Sequence, residues 1–223
     1  MPLPTVCLFD LNGTLLDLSV LDPHFERVFG DPGVRALWFR QTLELALTQT
    51  VTGTYHRFDR LADAALDMTA ARRGVAVSAA DKAQILGGMS ALPAYPDGPE
   101  ALALLQGAGC RLAVLTNSAQ PAAEAQVSHA RLSSYFEIVL SADTVQQLKP
   151  GPRPYAHAAE TLGVPRSEIC LFAAHSWDIA GALSAGLRAA FITRPDQLLS
   201  PLGPQPDIVG TDLPDAVRQI LAR

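Results

Sequence analysis

Val6-Cys7-Leu8-Phe9-Asp10-Leu11-Asn12-Gly13-Thr14-Leu15 is the stretch that decides the fold. Four consecutive apolar residues, Val6 to Phe9, are too few for a helix and read as a strand buried on both faces. The run stops at an acid, Asp10, and Asn12-Gly13 marks a tight turn. A strand buried on both faces needs parallel neighbours and helices above and below it. The rest of the chain should therefore supply repeated strand–helix units.

Working outward, those units do not begin at once. From about residue 17 to about residue 93 helical patterns follow one another without a convincing strand. Residues 34–50 carry Leu37, Leu43, Leu45 and Leu47 among polar neighbours, and residues 57–73 carry Leu61, Ala65, Leu66 and Met68. Ser78 with Asp81 resembles a capped helix start. From about residue 94 strands are expected at 111–115, 138–140, 169–172 and 189–192. Helices are expected at 99–108, 121–132, 155–162, 178–185 and 214–221. Residues 201–206 read as a turn-rich loop. The expectation is an α/β fold: a parallel-sheet core made of residues 1–16 and 94–223, with a helical cap, residues 17–93, inserted after the first strand.

The chain has 223 residues, 48% of them hydrophobic and 17% charged, which suits a compact core and not a disordered chain. A net charge of -5 provides no basic surface for nucleic acid or anionic lipid, so neither a nucleic-acid partner nor a membrane is expected. No stretch approaches the roughly 20 apolar residues of a membrane span. The segment Met1-Pro2-Leu3-Pro4-Thr5 lacks the pattern of a secretion signal. Cys7, Cys110 and Cys170 are widely spaced and lie in or beside apolar runs, which reads as small buried hydrophobes in a reducing cytoplasm.

Four segments that follow expected strands carry the chemistry: Asp10 to Thr14, Thr116-Asn117-Ser118, Lys149-Pro150 and Ala173 to Asp178. In an open parallel sheet, ligands bind outside the carboxyl ends of the strands. Two carboxylates, a hydroxyl and an amine would thus converge in one crevice. Asp10 taken alone is a turn-starting residue that bonds its own backbone. Placed after an apolar strand and before Gly13-Thr14, it reads as a nucleophile, kept ionised by turn amides and by Lys149. Asp178 taken alone is an acid favourable to a helix N-terminus. His175 is either a loop histidine bonded to backbone or a donor or base in the crevice. His24, His56, His129 and His157 read as surface or packing residues. No metal-ligand spacing is present, and no cofactor is expected.

These segments together resemble the motifs of the haloacid dehalogenase superfamily. Phe9-Asp10-Leu11-Asn12-Gly13-Thr14-Leu15 is similar to its first motif, Thr116-Asn117 to the second, Lys149-Pro150 to the third and Trp177-Asp178 to the fourth. The resemblance implies a Rossmann-like core and an aspartate that forms an ester with the substrate. Phosphatases of that superfamily carry a second Asp two places after the nucleophile, to protonate the departing alcohol. Here that place holds Asn12. They also hold Mg²⁺ with carboxylates of the fourth motif, where this chain has Ala174 and His175. A halide departs without a proton and without a metal.

Leu37-Trp38, Leu43-Glu44, Phe58, Ser128-His129-Ala130, Arg153, Tyr155 and Trp177-Asp178-Ile179-Ala180-Gly181-Ala182 resemble the 2-haloacid dehalogenase (type II) branch. The resemblance implies a small carboxylate substrate, from whose 2-carbon Asp10 displaces halide before water hydrolyses the ester. Thr14 would position Asp10. Thr116 and Asn117 would bind the carboxylate and the halide. Lys149 would supply charge, held by Tyr155, while Asp178 orients Lys149 and helps activate water. Phe58 and Trp177 would wall the site, beside Asn12 and His175. Relatives of that branch often form dimers, so a homodimer is implied.

Three departures stand out. The halide-gripping Arg of the branch falls at Phe39, with Arg40 one place later, and one residue on a helix turns a side chain by roughly 100°. The Tyr two places after the nucleophile is Asn12. The Ser and Asn of the fourth motif are Ala173 and His175. Two alternatives therefore stay open: a Mg²⁺-dependent phosphatase of small phosphate esters, and a non-enzymatic member that binds an anion.

Overall fold

The computed structural model describes residues 3–222. Met1, Pro2 and Arg223, which the expected core ranges include, lie outside the described residues. Six parallel strands make one sheet: β1 (Val6–Phe9), β2 (Arg111–Thr116), β3 (Ile138–Ser141), β4 (Ile169–Ala173), β5 (Arg188–Ile192) and β6 (Ile208–Gly210), in the order β3-β2-β1-β4-β5-β6. β1 is central, and all four of its residues are buried. Chain direction across the sheet reverses on either side of it. Asp10 therefore emerges at the switch point where such sheets open a crevice.

Alternation of side chains along the strands divides the core in two. Cys7, Phe9, Leu112, Val114, Cys170 and Phe172 face one side. There they meet α5 (Gly98–Gly107) and α9 (Leu213–Leu221). Val6, Leu8, Ala113, Leu115, Leu171 and Ala173 face the other. There they meet α7 (Pro152–Leu162) and α8 (Ser176–Ser184). All three cysteines are buried among these apolar residues.

Between β1 and α5 lie four helices: α1 (Asp22–Phe29), α2 (Val34–Thr52), α3 (Phe58–Arg73) and α4 (Ala79–Gly88). α4 begins as its sequence implies, with the Ser78 side chain accepting from Asp81 N at 3.1 Å. Trp38 anchors α2 to α3 by donating from its ring nitrogen to Ala62 O at 2.8 Å. The chain enters and leaves this helical cap side by side. Asp17 N donates to Pro93 O at 2.9 Å, and Tyr95 N donates to Leu15 O at 2.8 Å. The two crossings are adjacent and joined by a few backbone bonds.

Three details differ from expectation. β6 falls just after the loop at 201–206, and three edge residues are too few to show a period. Helix α6 (Gln120–His129) stops three residues early, because Arg131 turns into the left-handed region at φ 58°. α7 starts at Pro152, three residues before Tyr155. No helix among the described residues is long and apolar enough to cross a membrane.

Candidate active site

Asp10 sits one residue beyond β1, its amide still bonded into the ladder at Phe172 O, 3.0 Å away. Its carboxylate is 4% exposed and bonded on both oxygens. Lys149 Nζ donates to Oδ1 at 2.9 Å, Thr14 Oγ1 donates to Oδ2 at 2.7 Å, and His175 Nδ1 lies 3.0 Å from Oδ2. Ala174 N donates to Thr14 Oγ1 at 3.0 Å, which aims the threonine proton at the carboxylate.

Lys149 is 1% exposed, and its three protons are all engaged. They go to Asp10, to Asp178 Oδ2 at 2.6 Å and to Leu115 O at 2.9 Å. Asp178, at the first turn of α8, receives the Tyr155 hydroxyl on its other oxygen at 2.6 Å. Tyr155 therefore reaches the lysine only through Asp178. The implied hold of Tyr155 on Lys149 is thus an indirect one, made through Asp178, and Tyr155, implied as a substrate-binding residue, is fully buried.

The charges set one another. Burial pushes the Asp10 carboxyl up, but the Lys149 ammonium and the His175 ring outweigh it and hold it well below the usual carboxylate range. Burial pulls the Lys149 ammonium down, and the two carboxylates outweigh that and hold it above an ordinary lysine. Burial and the nearby Asp10 raise Asp178, with Lys149 opposing. Burial, then Asp178, pushes the Tyr155 phenol well up.

The remaining expected residues are placed around this centre. Asn117 uses its amide on the Lys149 backbone, donating to its carbonyl at 3.3 Å and accepting from its N–H at 2.8 Å. It fixes the lysine's main chain, so its amide is not pointed at a halide. Thr116 Oγ1 accepts from Ser118 N at 3.2 Å. Asn12 is buried, donating to Ser118 Oγ at 3.0 Å and accepting from Gln126 Nε2 at 2.9 Å. His56 and His129 are exposed, and His24 and His157 half-buried.

Two cavities are lined by neighbours of this centre, though not by Asp10 itself. The larger, about 650 Å³, is lined by Gly13, Leu18, Phe39, Arg40, His175 and Trp177. The smaller, about 480 Å³, is lined by Phe58, Met89, Ser118 and Gln126 among others. Phe39 turns its ring to within 6.1 Å of the His175 ring, while Arg40 is exposed on the wall. The Trp177 ring stacks on His175 at 5.3 Å and lies 5.8 Å from Lys149 Nζ. Gly13 holds φ at 78°, and a Cβ there would stand 3.1 Å from His175 Cε1. The turn thus needs glycine both for its backbone and to leave the imidazole edge open.

Gly181 has a steric reason of its own. A Cβ on it would lie 2.5 Å from the Tyr155 hydroxyl and 2.6 Å from Pro150 Cβ. Gly181→Ala is expected to cost about 1–3 kcal/mol in urea unfolding, as overpacked cores do. The loss should be accompanied by weakened activity, because the displaced atoms hold Asp178 and the lysine–proline segment.

Two site residues escaped the sequence reading. Arg194, 8% exposed, donates from Nε to Thr14 O at 3.0 Å, makes a double bond-pair with Asp97 at 2.8 and 2.9 Å, and stacks on Tyr95 at 4.0 Å. A signal existed: Thr193-Arg194 follows β5 just as the other segments follow their strands. Gln126, buried on α6, had no such signal.

Comparison with known proteins agrees with this geometry. The haloacid dehalogenase-like hydrolase family model matches residues 4–186. An (S)-2-haloacid dehalogenase of Pseudomonas sp. (strain YL) is 31% identical over 207 residues, 92% of this chain and 89% of that protein. (S)-2-haloacid dehalogenase 4A of Burkholderia cepacia is 32% identical over 190 residues, 84% and 82% of the two chains. Among solved structures, L-2-haloacid dehalogenase from Xanthobacter autotrophicus with chloropropionic acid covalently bound superposes with a TM-score of 0.90 at 25% identity, covering 98% of each chain. Sheet order, a buried carboxylate gripped by a lysine at the switch point and a match over most of its length agree, and the chain belongs to the haloacid dehalogenase-like hydrolase family.

Proposed function

We propose that this hydrolase cleaves the carbon–halogen bond of short 2-halocarboxylic acids through an ester on Asp10, without a metal ion. The observation that carries the reading is the ion pair of Asp10 with Lys149, buried at the switch point and facing no second acid at position 12. An oxygen of Asp10 attacks carbon 2 of the substrate, and the carbon–halogen pair of electrons leaves with the halide. A halide needs no proton, so an amide at Asn12 is no handicap. Lys149 and Thr14 keep the carboxylate ionised and aimed. Thr116 supplies its hydroxyl to the substrate carboxylate. Asp178 orients Lys149, and Phe58 and Trp177 wall the site. The segment 17–93 acts as a cap over the core of residues 1–16 and 94–223, and its closure excludes bulk water from the displacement.

The phosphatase alternative finds little support. Between the two carboxylates sits the Lys149 ammonium, and both Asp178 oxygens are already bonded, to Lys149 and Tyr155. Among the described residues no group of three or more His, Cys, Asp or Glu side chains is arranged to hold a metal.

Purified protein incubated with 2-chloropropionate is expected to release halide and yield the 2-hydroxy acid, at a rate unchanged by a chelator. Intact-protein mass spectrometry of rapidly quenched samples should find the ester on Asp10. Absence of halide release across a panel of 2-haloacids, or phosphate release abolished by chelator, would overturn the reading.

A further inference from the structure

We propose that Arg194 is a positioning residue for the displacement step: its guanidinium clamps the Thr14 carbonyl and so keeps the Thr14 hydroxyl on the Asp10 carboxylate. This inference rests on the haloacid reading and assigns a further residue to the same reaction.

The case begins at Thr14. Its hydroxyl donates to Asp10 Oδ2 at 2.7 Å and accepts from Ala174 N at 3.0 Å. Where that hydroxyl sits depends on the backbone that carries it. The peptide unit between Thr14 and Leu15 is held at both ends. Leu15 N donates to Leu11 O at 3.0 Å, and Thr14 O accepts from Arg194 Nε at 3.0 Å. Thr14 is fully buried. A buried carbonyl left without a donor is costly, so a peptide unit released by Arg194 would turn to find one and carry the side chain with it.

Arg194 can serve as a fixed point because its own place is over-determined. Nη1 and Nη2 donate to the two oxygens of Asp97 at 2.8 and 2.9 Å, and the guanidinium carbon lies 4.0 Å from the centre of the Tyr95 ring. Asp97 is anchored in turn: it precedes α5, and its Oδ2 accepts from Leu213 N at the start of α9, at 3.1 Å. Tyr95 N donates to Leu15 O at 2.8 Å, which bonds the residue beneath the guanidinium to the residue after Thr14. These contacts join the turn after β1 to the starts of α5 and α9. β5 delivers the arginine, which lies two residues beyond its last residue, Ile192.

The fork of donors is used in a way that a lysine cannot copy. Two nitrogens serve a carboxylate while a third serves a carbonyl. The Asp97 carboxylate neutralises the guanidinium. Against the upward push of burial, Lys149 and His175 are what hold the Asp10 carboxyl low. Arg194 therefore contributes aim and not charge. Aim matters because the attacking oxygen must lie in line with the carbon–halogen bond, and a misplacement of about 1 Å costs about 10²-fold in rate.

The test is single-turnover halide release from 2-chloropropionate on wild type, Arg194→Lys, Thr14→Val and the double variant. Arg194→Lys keeps a charge for Asp97 but has no third nitrogen for Thr14 O. Displacement is expected to slow by roughly 10–10²-fold in this variant. The KM for turnover should change by less than about twofold. The acid limb of the rate against pH should stay where it is, because Asp10 keeps the groups that hold it ionised. In the Thr14→Val background the same change should slow displacement by less than about threefold, since the hydroxyl that Arg194 serves is gone. Additive losses in the double variant, a displaced acid limb, or wild-type displacement in Arg194→Lys would overturn the inference alone. A wild type that releases no halide would overturn the haloacid reading and this inference together. Nitrogen-15 NMR of the wild type gives a readout independent of variant folding. The Arg194 Nε–H is expected to exchange with solvent more slowly than that of the exposed Arg40, and equal exchange would overturn the clamp.

Discussion

Replacing Asp10 with asparagine is expected to abolish halide release, by about 10⁴-fold or more, while leaving the protein folded. The size follows from what is removed. An amide oxygen is a poor nucleophile, and the donors of Lys149, Thr14 and His175 are built around a negative charge. No ester should appear at residue 10 in quenched samples. The folded state should survive because Lys149 keeps Asp178 and Leu115 O as partners. The measurements are halide release under single-turnover conditions, intact mass, and circular dichroism of the same preparation. A variant retaining a tenth of wild-type activity would mean that water attacks the substrate directly, and the covalent route would be abandoned.

Lys149→Met should affect both activity and stability. It leaves Asp10 and Asp178 buried with no cation between them, and breaking a buried pair in this way costs about 3–5 kcal/mol. The pH dependence has a definite sign. In the wild type the Asp10 pKa is depressed, so its contribution to stability is present above the unfolded value of about 3.9 and is lost as pH falls through the folded value. The Lys149 pKa is raised, so its contribution is complete below about 10.4 and is lost as pH rises through the folded value. In the variant both carboxyls lose the ammonium, and their folded pKa values rise above the unfolded one. The folded state then binds more protons than the unfolded state. The deficit is therefore largest at neutral pH and shrinks as pH falls toward about 4. Urea unfolding at a series of pH values checks this, and a pH-independent deficit would show that the lost packing of the lysine stem matters more than its charge. Halide release should fall by several orders of magnitude, since Asp10 is no longer held ionised.

How much of the site was legible depended on the kind of signal each residue left. Asp10, Thr14, Lys149 and Asp178 each follow a strand, and strands buried on both faces announce themselves as apolar runs. Arg194 left the same signal after β5 and was passed over. Asp97, its partner, precedes a helix far away in sequence, and Gln126 lies mid-helix among ordinary residues; neither has a local mark. β6 was missed because three edge residues carry no period.

The sequence alone determined the alternation that builds a parallel sheet, the burial of β1 on both faces and the set of charged groups that the carboxyl ends of the strands must gather. Those follow from local polarity patterns and from the rule that crevices open at strand ends. Only the tertiary structure decided which atom meets which. It put Tyr155 on Asp178 instead of on Lys149, spent the Asn117 amide on the Lys149 backbone, and set His175 Nδ1 against Asp10. Such pairings join residues 23, 32 and 165 positions apart, within tenths of an ångström. They are fixed by packing of the whole core, which no short stretch of chain encodes.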